Sequence, residues 1–335
     1  MSSLALTLRE TLRYRGAIVG QWSWVFHRLT GLAVVLFVFM HVIDTSWAVF
    51  YPGLYEEAIA SYQTPLFTIG EFLLIAAVVY HGFNGFRIIV LDYRPRWWRY
   101  QRKAAAYVLI ATVIMLIPIF ISMFGHVSNF YGDDTNTVMP LADVLKTLVP
   151  FVVGVILALV GALAFSLIAG VVVGKEGATT QRKASYFERI GWLLMRYSGL
   201  LIILLAGGHL VMIHMIQGVF ELSVANVDVV GTDIINNSGT ATEFAGNRWN
   251  YLLAGVAVWR LYDLALLVLA VSHGFNGLRL ALTDYTMSNP LLYRTAIYLC
   301  VIGVVVLLAV GAGALFGTID DTAIDIAREA QQHLR

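Results

Sequence analysis

Cysteine is almost missing: Cys300 is the only one in 335 residues, and it sits inside an apolar run. A chain with one cysteine forms no internal disulfide and cannot supply the thiolate set that an iron–sulfur cluster or a cysteine-ligated zinc requires. Charge is scarce as well. Charged residues make up 13% of the chain and hydrophobic ones 59%, where soluble domains carry roughly a quarter charged. The net charge is +1, so the chain has no electrostatic footprint of a nucleic-acid binder.

In place of charge the chain has long apolar runs. A membrane-spanning helix takes about 20 such residues. Seven stretches qualify, at 24–50, 66–91, 104–125, 147–173, 192–220, 251–283 and 295–317. The first lacks a small-residue cleavage site after the polar segment with Arg9, Arg13 and Arg15, so it reads as a retained span and not as a signal peptide. Seven spans alternate the connections between two sides. Seventeen of the 22 lysines and arginines then fall on the N-terminal side and five on the other. The positive-inside rule puts the N-terminus in the cytoplasm and the C-terminus outside. Segment 221–250, polar and rich in Gly, Asn and Thr, reads as an external loop over the outer surface.

The chain contains an internal repeat. The thirteen residues from His81 to Tyr93, HGFNGFRIIVLDY, return from His273 to Tyr285 as HGFNGLRLALTDY with eight identities. Apolar composition cannot generate a shared His, Asn, Arg, Asp and Tyr. The preceding span repeats too: Trp24, Arg28, Gly31 and His41 align with Trp192, Arg196, Gly199 and His209. The expected fold is therefore an all-α polytopic bundle of two parallel three-helix repeats, residues 1–130 and 181–335, joined by a linking helix within 131–180. An odd number of spans per repeat would invert the second copy, and the linking helix restores its direction.

A histidine inside a bilayer is costly and usually functional. His41, His81, His209 and His273 lie deep in spans and form two repeat-related pairs, His41 with His209 and His81 with His273. Pairs of imidazoles facing each other across repeats suit the two axial positions of haem iron, which leaves no open site and favours electron transfer. His81 lies eleven residues before Asp92, about 16 Å from that helix end, and His41 lies seventeen after Trp24, about 25 Å from the same side. Two haem sites at different depths follow, held across a four-helix core. Gly85 and Gly277, four residues after their histidines, share the histidine face and leave room for a flat macrocycle; Gly207 and Gly208 flank His209 in the same way. His214 has no repeat partner and, five residues from His209, is expected on another helix face. The bland reading of such histidines is interhelical hydrogen bonding.

These motifs resemble a known family. Trp24-Val-Phe-His-Arg-Leu-Thr-Gly31 is similar to the His-Arg-x-Ser/Thr-Gly signature of the large membrane-anchor subunit of succinate dehydrogenase, complex II. His81, Arg87 and Asp92 resemble a later span of that subunit. His273 with Asp284-Tyr285 resembles the small anchor subunit, so the chain looks like both anchors fused. The resemblance implies a cytochrome b that holds two haem b groups and passes electrons from an iron–sulfur subunit to a quinone in a prokaryotic inner membrane. It implies docking of flavoprotein and iron–sulfur subunits on the basic cytoplasmic face, where Arg94, Arg96, Arg99, Arg102 and Lys103 share one loop. His27, Arg28 and Tyr285, with Trp24 and Asp284 beside them, would bind the quinone. The family's serine three residues before the motif histidine is Trp24 here, with Ser23 one further back. Tyr93, Arg196, Tyr197 and Ser198 form a repeat-related second set. A second haem near the outer face implies menaquinone and an outer quinone site near Asp44, Glu71, Arg260 and Asp263. The competing readings are the cytochrome b subunit of a fumarate reductase or another quinone-linked dehydrogenase and, in a different class, a secondary transporter.

Overall fold

The computed structural model describes residues 18–133, 136–172 and 186–334. Seven of the basic residues counted for orientation (Arg9, Arg13, Arg15, Lys175, Arg182, Lys183 and Arg335) and the expected domain boundary at 180/181 lie outside the described residues. The long helices are α1 (Ile18–Phe50), α3 (Pro65–Tyr93), α4 (Gln101–Tyr131), α6 (Val149–Val172), α7 (Tyr186–Leu210), α9 (Val258–Thr286) and α10 (Pro290–Phe316). Shorter helices are α2 (Pro52–Tyr62), α5 (Leu141–Thr147), α8 (Ala241–Asn250) and α11 (Asp321–Leu334). Seven segments are long and apolar enough to cross a membrane: Gly20–Phe50, Pro65–Tyr93, Pro95–Tyr131, Leu141–Val172, Glu188–Ile216, Val258–Thr286 and Pro290–Phe316. Leu73, Tyr107, Ile121, Leu157 and Val171 point outward at 62–87% exposure, as a surface facing lipid permits and one facing water does not. The molecule is an all-α, multi-pass membrane bundle.

Helix starts follow local chemistry. Proline occupies the first turn of α2, α3 and α10, where its missing N–H is no loss. Asn289 accepts from Leu291 N and Leu292 N to cap α10. Thr240 caps α8 by accepting from Glu243 N on Oγ1, and the Glu243 carboxylate ties down the preceding turn by accepting from Asn237 N and Ser238 N.

Helices α1, α3, α7 and α9 make the centre; α4 packs on α3, while α10 packs on α9, α1 and α6. Polar residues inside this centre join the two repeats. The Arg28 guanidinium pairs with Asp284, and Arg196 pairs with Asp92. These are repeat-related pairs, each joining the first helix of one repeat to the second helix of the other. The exchange places the beginnings of α1 and α7 and the ends of α3 and α9 at one end of the bundle. Within each repeat the Asn of the shared motif clasps the preceding span: Ser23 Oγ donates to Asn84 Oδ1 at 2.8 Å, and Asn276 Nδ2 donates to Gly191 O at 3.1 Å.

The opposite end carries a cap that includes α2, α8, α11 and a two-stranded hairpin, β1 (Val227–Asp228) with β2 (Ile235–Asn236). Glu56 on α2 is 3% exposed and faces the start of α8. Its carboxylate accepts from Ala241 N at 3.2 Å and from Thr242 N and Thr242 Oγ1 at 2.9 Å each. Orphan amides at a helix N-terminus and a carboxylate satisfy one another.

Three expectations need correction. The sixth span begins at Val258 and not at 251, because residues 251–257 form a tight turn with positive φ at Ala254 and Gly255. The fifth span ends at Ile216 through a π-helical turn, Val211–Ile216, and not at 220. Segment 221–250 is not only loop but holds β1, β2 and α8.

Two outcomes are expected. Glu56→Ala strands two buried amides and lowers stability by about 2–3 kcal/mol, read as a fall in thermal midpoint; Glu56→Gln, which keeps one acceptor, falls less. The Arg196–Asp92 side chains are 16% and 23% exposed, against 28% and 50% for Arg28–Asp284. Asp92→Asn therefore costs about 1–3 kcal/mol and Asp284→Asn under about 1 kcal/mol; equal losses in the same melt would refute the ranking.

Candidate functional site

Both histidine pairs meet. The rings of His81 on α3 and His273 on α9 lie 6.5 Å apart between centroids, at an interplanar angle of 86°. Those of His41 on α1 and His209 on α7 lie 6.0 Å apart at 72°. Each pair draws one member from each repeat.

The inner pair has its tautomers fixed. His81 Nδ1 lies 3.1 Å from the His27 carbonyl oxygen, which can only accept, so Nδ1 carries the proton. Thr30 Oγ1 lies 3.4 Å from the same nitrogen and donates its own proton to Phe26 O. His273 Nδ1 lies 2.9 Å from Ser198 Oγ, whose proton goes to Leu194 O, so His273 Nδ1 is the donor. Thr30 and Ser198 are repeat counterparts. In both rings Nε2 is left with its lone pair, the form in which imidazole binds a metal.

Glycine makes room for these rings. A Cβ on Gly31 would lie 2.8 Å from His81 Cε1, and one on Gly199 would lie 3.3 Å from His273 Cε1. Gly31 and Gly199 are repeat counterparts, recognisable in the sequence only as aligned glycines. At Gly85 and Gly277 a Cβ would meet His27 Cε1 at 3.6 Å and Met195 Cε at 3.5 Å. All four glycines line a cavity of about 1230 Å³. His81 and His273 line it together with His27, Arg28, Arg196 and Tyr285, so the structure brings the inner pair and most of the expected quinone residues to one space.

Within that set, roles differ. His27 stacks on His81 with centroids 4.0 Å apart and planes 6° from parallel, and its buried Nδ1 has no hydrogen-bond partner among the described residues. The Arg28 guanidinium is held by Asp284 and lies 4.1 Å over the Trp24 ring. Trp24, Asp284 and Ser23 do not line the cavity. Ser23 is 5% exposed and committed to Asn84. In the second set Arg196 pairs with Asp92 and stacks 3.5 Å over Trp192, and the position of His27 is taken by Met195.

His41 and His209 do not line the cavity. Phe37 stacks on His41 at 5.0 Å, and His209 Nδ1 is buried without a partner among the described residues. His214, expected on another face, comes within 6.1 Å of His209 between ring centroids, because the π-helical turn that follows Leu210 shifts the register. It is bonded to Glu71 on α3. The other residues expected at an outer quinone site are engaged in packing the cap. Asp44 accepts from Tyr62, Asp263 from Trp249 Nε1 at 3.0 Å, and Arg260 bonds Trp249 O, Asn250 Oδ1, Leu315 O and Gly317 O. Among the described residues no group of three or more His, Cys, Asp or Glu is placed to hold a bare metal ion.

The family model for the succinate dehydrogenase/fumarate reductase transmembrane subunit matches residues 8–119. The succinate dehydrogenase 2 membrane subunit SdhC of Mycobacterium tuberculosis is 36% identical over 105 residues, 31% of this chain and 76% of that protein. The succinate dehydrogenase hydrophobic membrane anchor subunits of Halobacterium salinarum and Archaeoglobus fulgidus are 30% identical over 74 residues and 29% over 102. Those matches take in 22% and 30% of this chain and 57% and 84% of the relatives. No solved structure matches the chain. A bundle of seven apolar helices with the His-Arg motif at the start of the first, and relatives that are themselves such anchors, place this chain in the family of succinate dehydrogenase/fumarate reductase transmembrane subunits.

Proposed function

We propose that this chain is the dihaem cytochrome b of a succinate:quinone oxidoreductase, taking electrons from an iron–sulfur subunit and delivering them to a membrane quinone. One observation carries the reading: two imidazole pairs, each assembled across the repeats, stand 6.5 and 6.0 Å apart between ring centroids. Two imidazoles that share an iron at about 2 Å from each nitrogen have ring centres roughly 6 Å apart. The free Nε2 atoms of His81 and His273 fit axial ligation. The macrocycle supplies four further nitrogens, which is why a pair of histidines suffices where a bare ion needs more.

Haem b, when bound, supplies a one-electron carrier at each pair. The protein's part is to hold the rings, exclude water and keep a donor ready for the quinone. Thr30, Ser198 and the His27 carbonyl orient the inner ligands. His27, stacked on His81 and with an unused ring nitrogen, presents its imidazole to a quinone oxygen, and Tyr285 supplies a phenol on the same cavity wall. Arg28 sets the local field and is kept in place by Asp284 and Trp24. The outer pair extends the route toward the other membrane face, the arrangement expected with menaquinone. Arg94, Arg96 and Arg99 are exposed at the end of α3, the face that would meet the flavoprotein and iron–sulfur subunits in the cytoplasm.

The protein should purify red, with two haem b per chain in a dithionite-reduced minus oxidised spectrum. A colourless protein sinks the proposal, and one haem per chain removes the outer site. His81→Ala and His273→Ala should each abolish the inner signal and leave the outer one, whereas retention of both signals, or loss of both together, contradicts the pairing. His27→Ala should lower quinone reductase activity about 100-fold or more, the range for a proton-transferring group, with the haem spectrum intact.

A further inference from the structure

The internal repeat serves as its own control at one position. Arg279 on α9 is fully engaged: it bonds the Glu188 carboxylate with Nη1 at 2.9 Å and Nη2 at 3.3 Å, and Asn276 Oδ1 with Nε and Nη2. Its repeat counterpart is Arg87 on α3. Glu188 corresponds to Gly20, so the carboxylate is missing from the first repeat. Arg87 Nε and Nη1 are buried and have no hydrogen-bond partner among the described residues. Asn84 Nδ2, one helical turn away, is in the same condition, because Asn84 is 0% exposed and only its Oδ1 is used, by Ser23. Three buried donors and a positive charge lie within one helical turn of α3, on the residues whose repeat counterparts are engaged around an acid. Neither Asn84 nor Arg87 lines the large cavity.

A half-buried guanidinium with two buried N–H groups and no counter-charge is a costly arrangement that a bound anion relieves. We propose that Arg87 and Asn84 form an oxyanion site for the headgroup phosphate of an anionic phospholipid. Depth favours lipid. Arg87 lies five residues before Asp92, about 7.5 Å from that end of the helix, within reach of the membrane interface. The segment that follows is built for headgroup level: Trp97 and Trp98 are 48% and 40% exposed, and Arg96, Arg99, Arg102 and Lys103 are exposed around them. Aromatic and basic residues mark that level, and basic pockets between spans on the cytoplasmic side take anionic headgroups.

The test installs the acid of the second repeat in the first. A Cβ on Gly20 would meet nothing closer than Gln101 Oε1 at 3.6 Å, so Gly20→Glu has room to occupy Arg87. Full-length wild type, Gly20→Glu and Arg87→Gln are purified in detergent with their copurifying subunits. Retained phospholipid is counted by native mass spectrometry. Thermal midpoints of delipidated protein are then measured with phosphatidylglycerol micelles and, separately, with inorganic phosphate. Wild type should keep one phospholipid that both variants lose, and phosphatidylglycerol should raise only the wild-type midpoint. A rise with inorganic phosphate equal to that with phosphatidylglycerol overturns the lipid source. Equal lipid retention in all three proteins with no lipid-dependent shift overturns the site. Loss of a partner subunit instead of a lipid from Arg87→Gln assigns the corner to a protein carboxylate and overturns the proposal as well.

Discussion

A guanidinium inside a helix bundle has to find a carboxylate, and here the two repeats supply each other's. Arg28 reaches Asp284 and Arg196 reaches Asp92, so neither repeat satisfies its own charge. The exchange ties the first helix of each repeat to the second helix of the other, most firmly at the less exposed Arg196–Asp92 pair. His81 and His273 face each other on the same two helices, eleven residues before Asp92 and Asp284.

Against that shared frame, the differences between the repeats carry the functional content. His27 stands where the second repeat has Met195, which gives one corner of the cavity an imidazole that its repeat-related corner lacks. The inner histidines are oriented by Thr30 and Ser198, while the outer pair is bounded by Phe37 and by His214 with its Glu71 partner. A duplicated scaffold with one specialised corner is a physical basis for a single quinone entrance in the proposed function. The gap opposite Arg87 follows the same logic, since Gly20 stands where the second repeat has Glu188 while the arginine is present in both.

The cap works under a different constraint. Its polar groups are saturated by local chemistry, such as Glu56 on the α8 amides, Arg260 on the carbonyls that end α10, and Asp263 on Trp249. The sequence shows this region only as polar and rich in Gly, Asn and Thr, a composition that describes a loop. Its helices are short and depend on contacts distant in sequence, such as the 185 residues between Glu56 and Ala241. Propensity over ten residues does not announce them.

The sequence alone determined the class, the seven spans and the pairing of the deep histidines, because each rests on a strong local signal: apolar length, repeat identity and the cost of a polar group in lipid. Span ends were legible only to within several residues, because positive φ at Ala254 and a π-helical turn at Val211–Ile216 leave little trace in hydropathy. The tertiary structure decided what depends on side-chain direction. It set Gly31 and Gly199 against the inner histidine rings. It turned Ser23 toward Asn84, brought His214 to His209 and paired Arg28 with Asp284 on the cavity wall. Spacing along a helix fixes a face to within a turn, whereas the partner of a polar atom is chosen by whichever group in the assembled bundle can satisfy it.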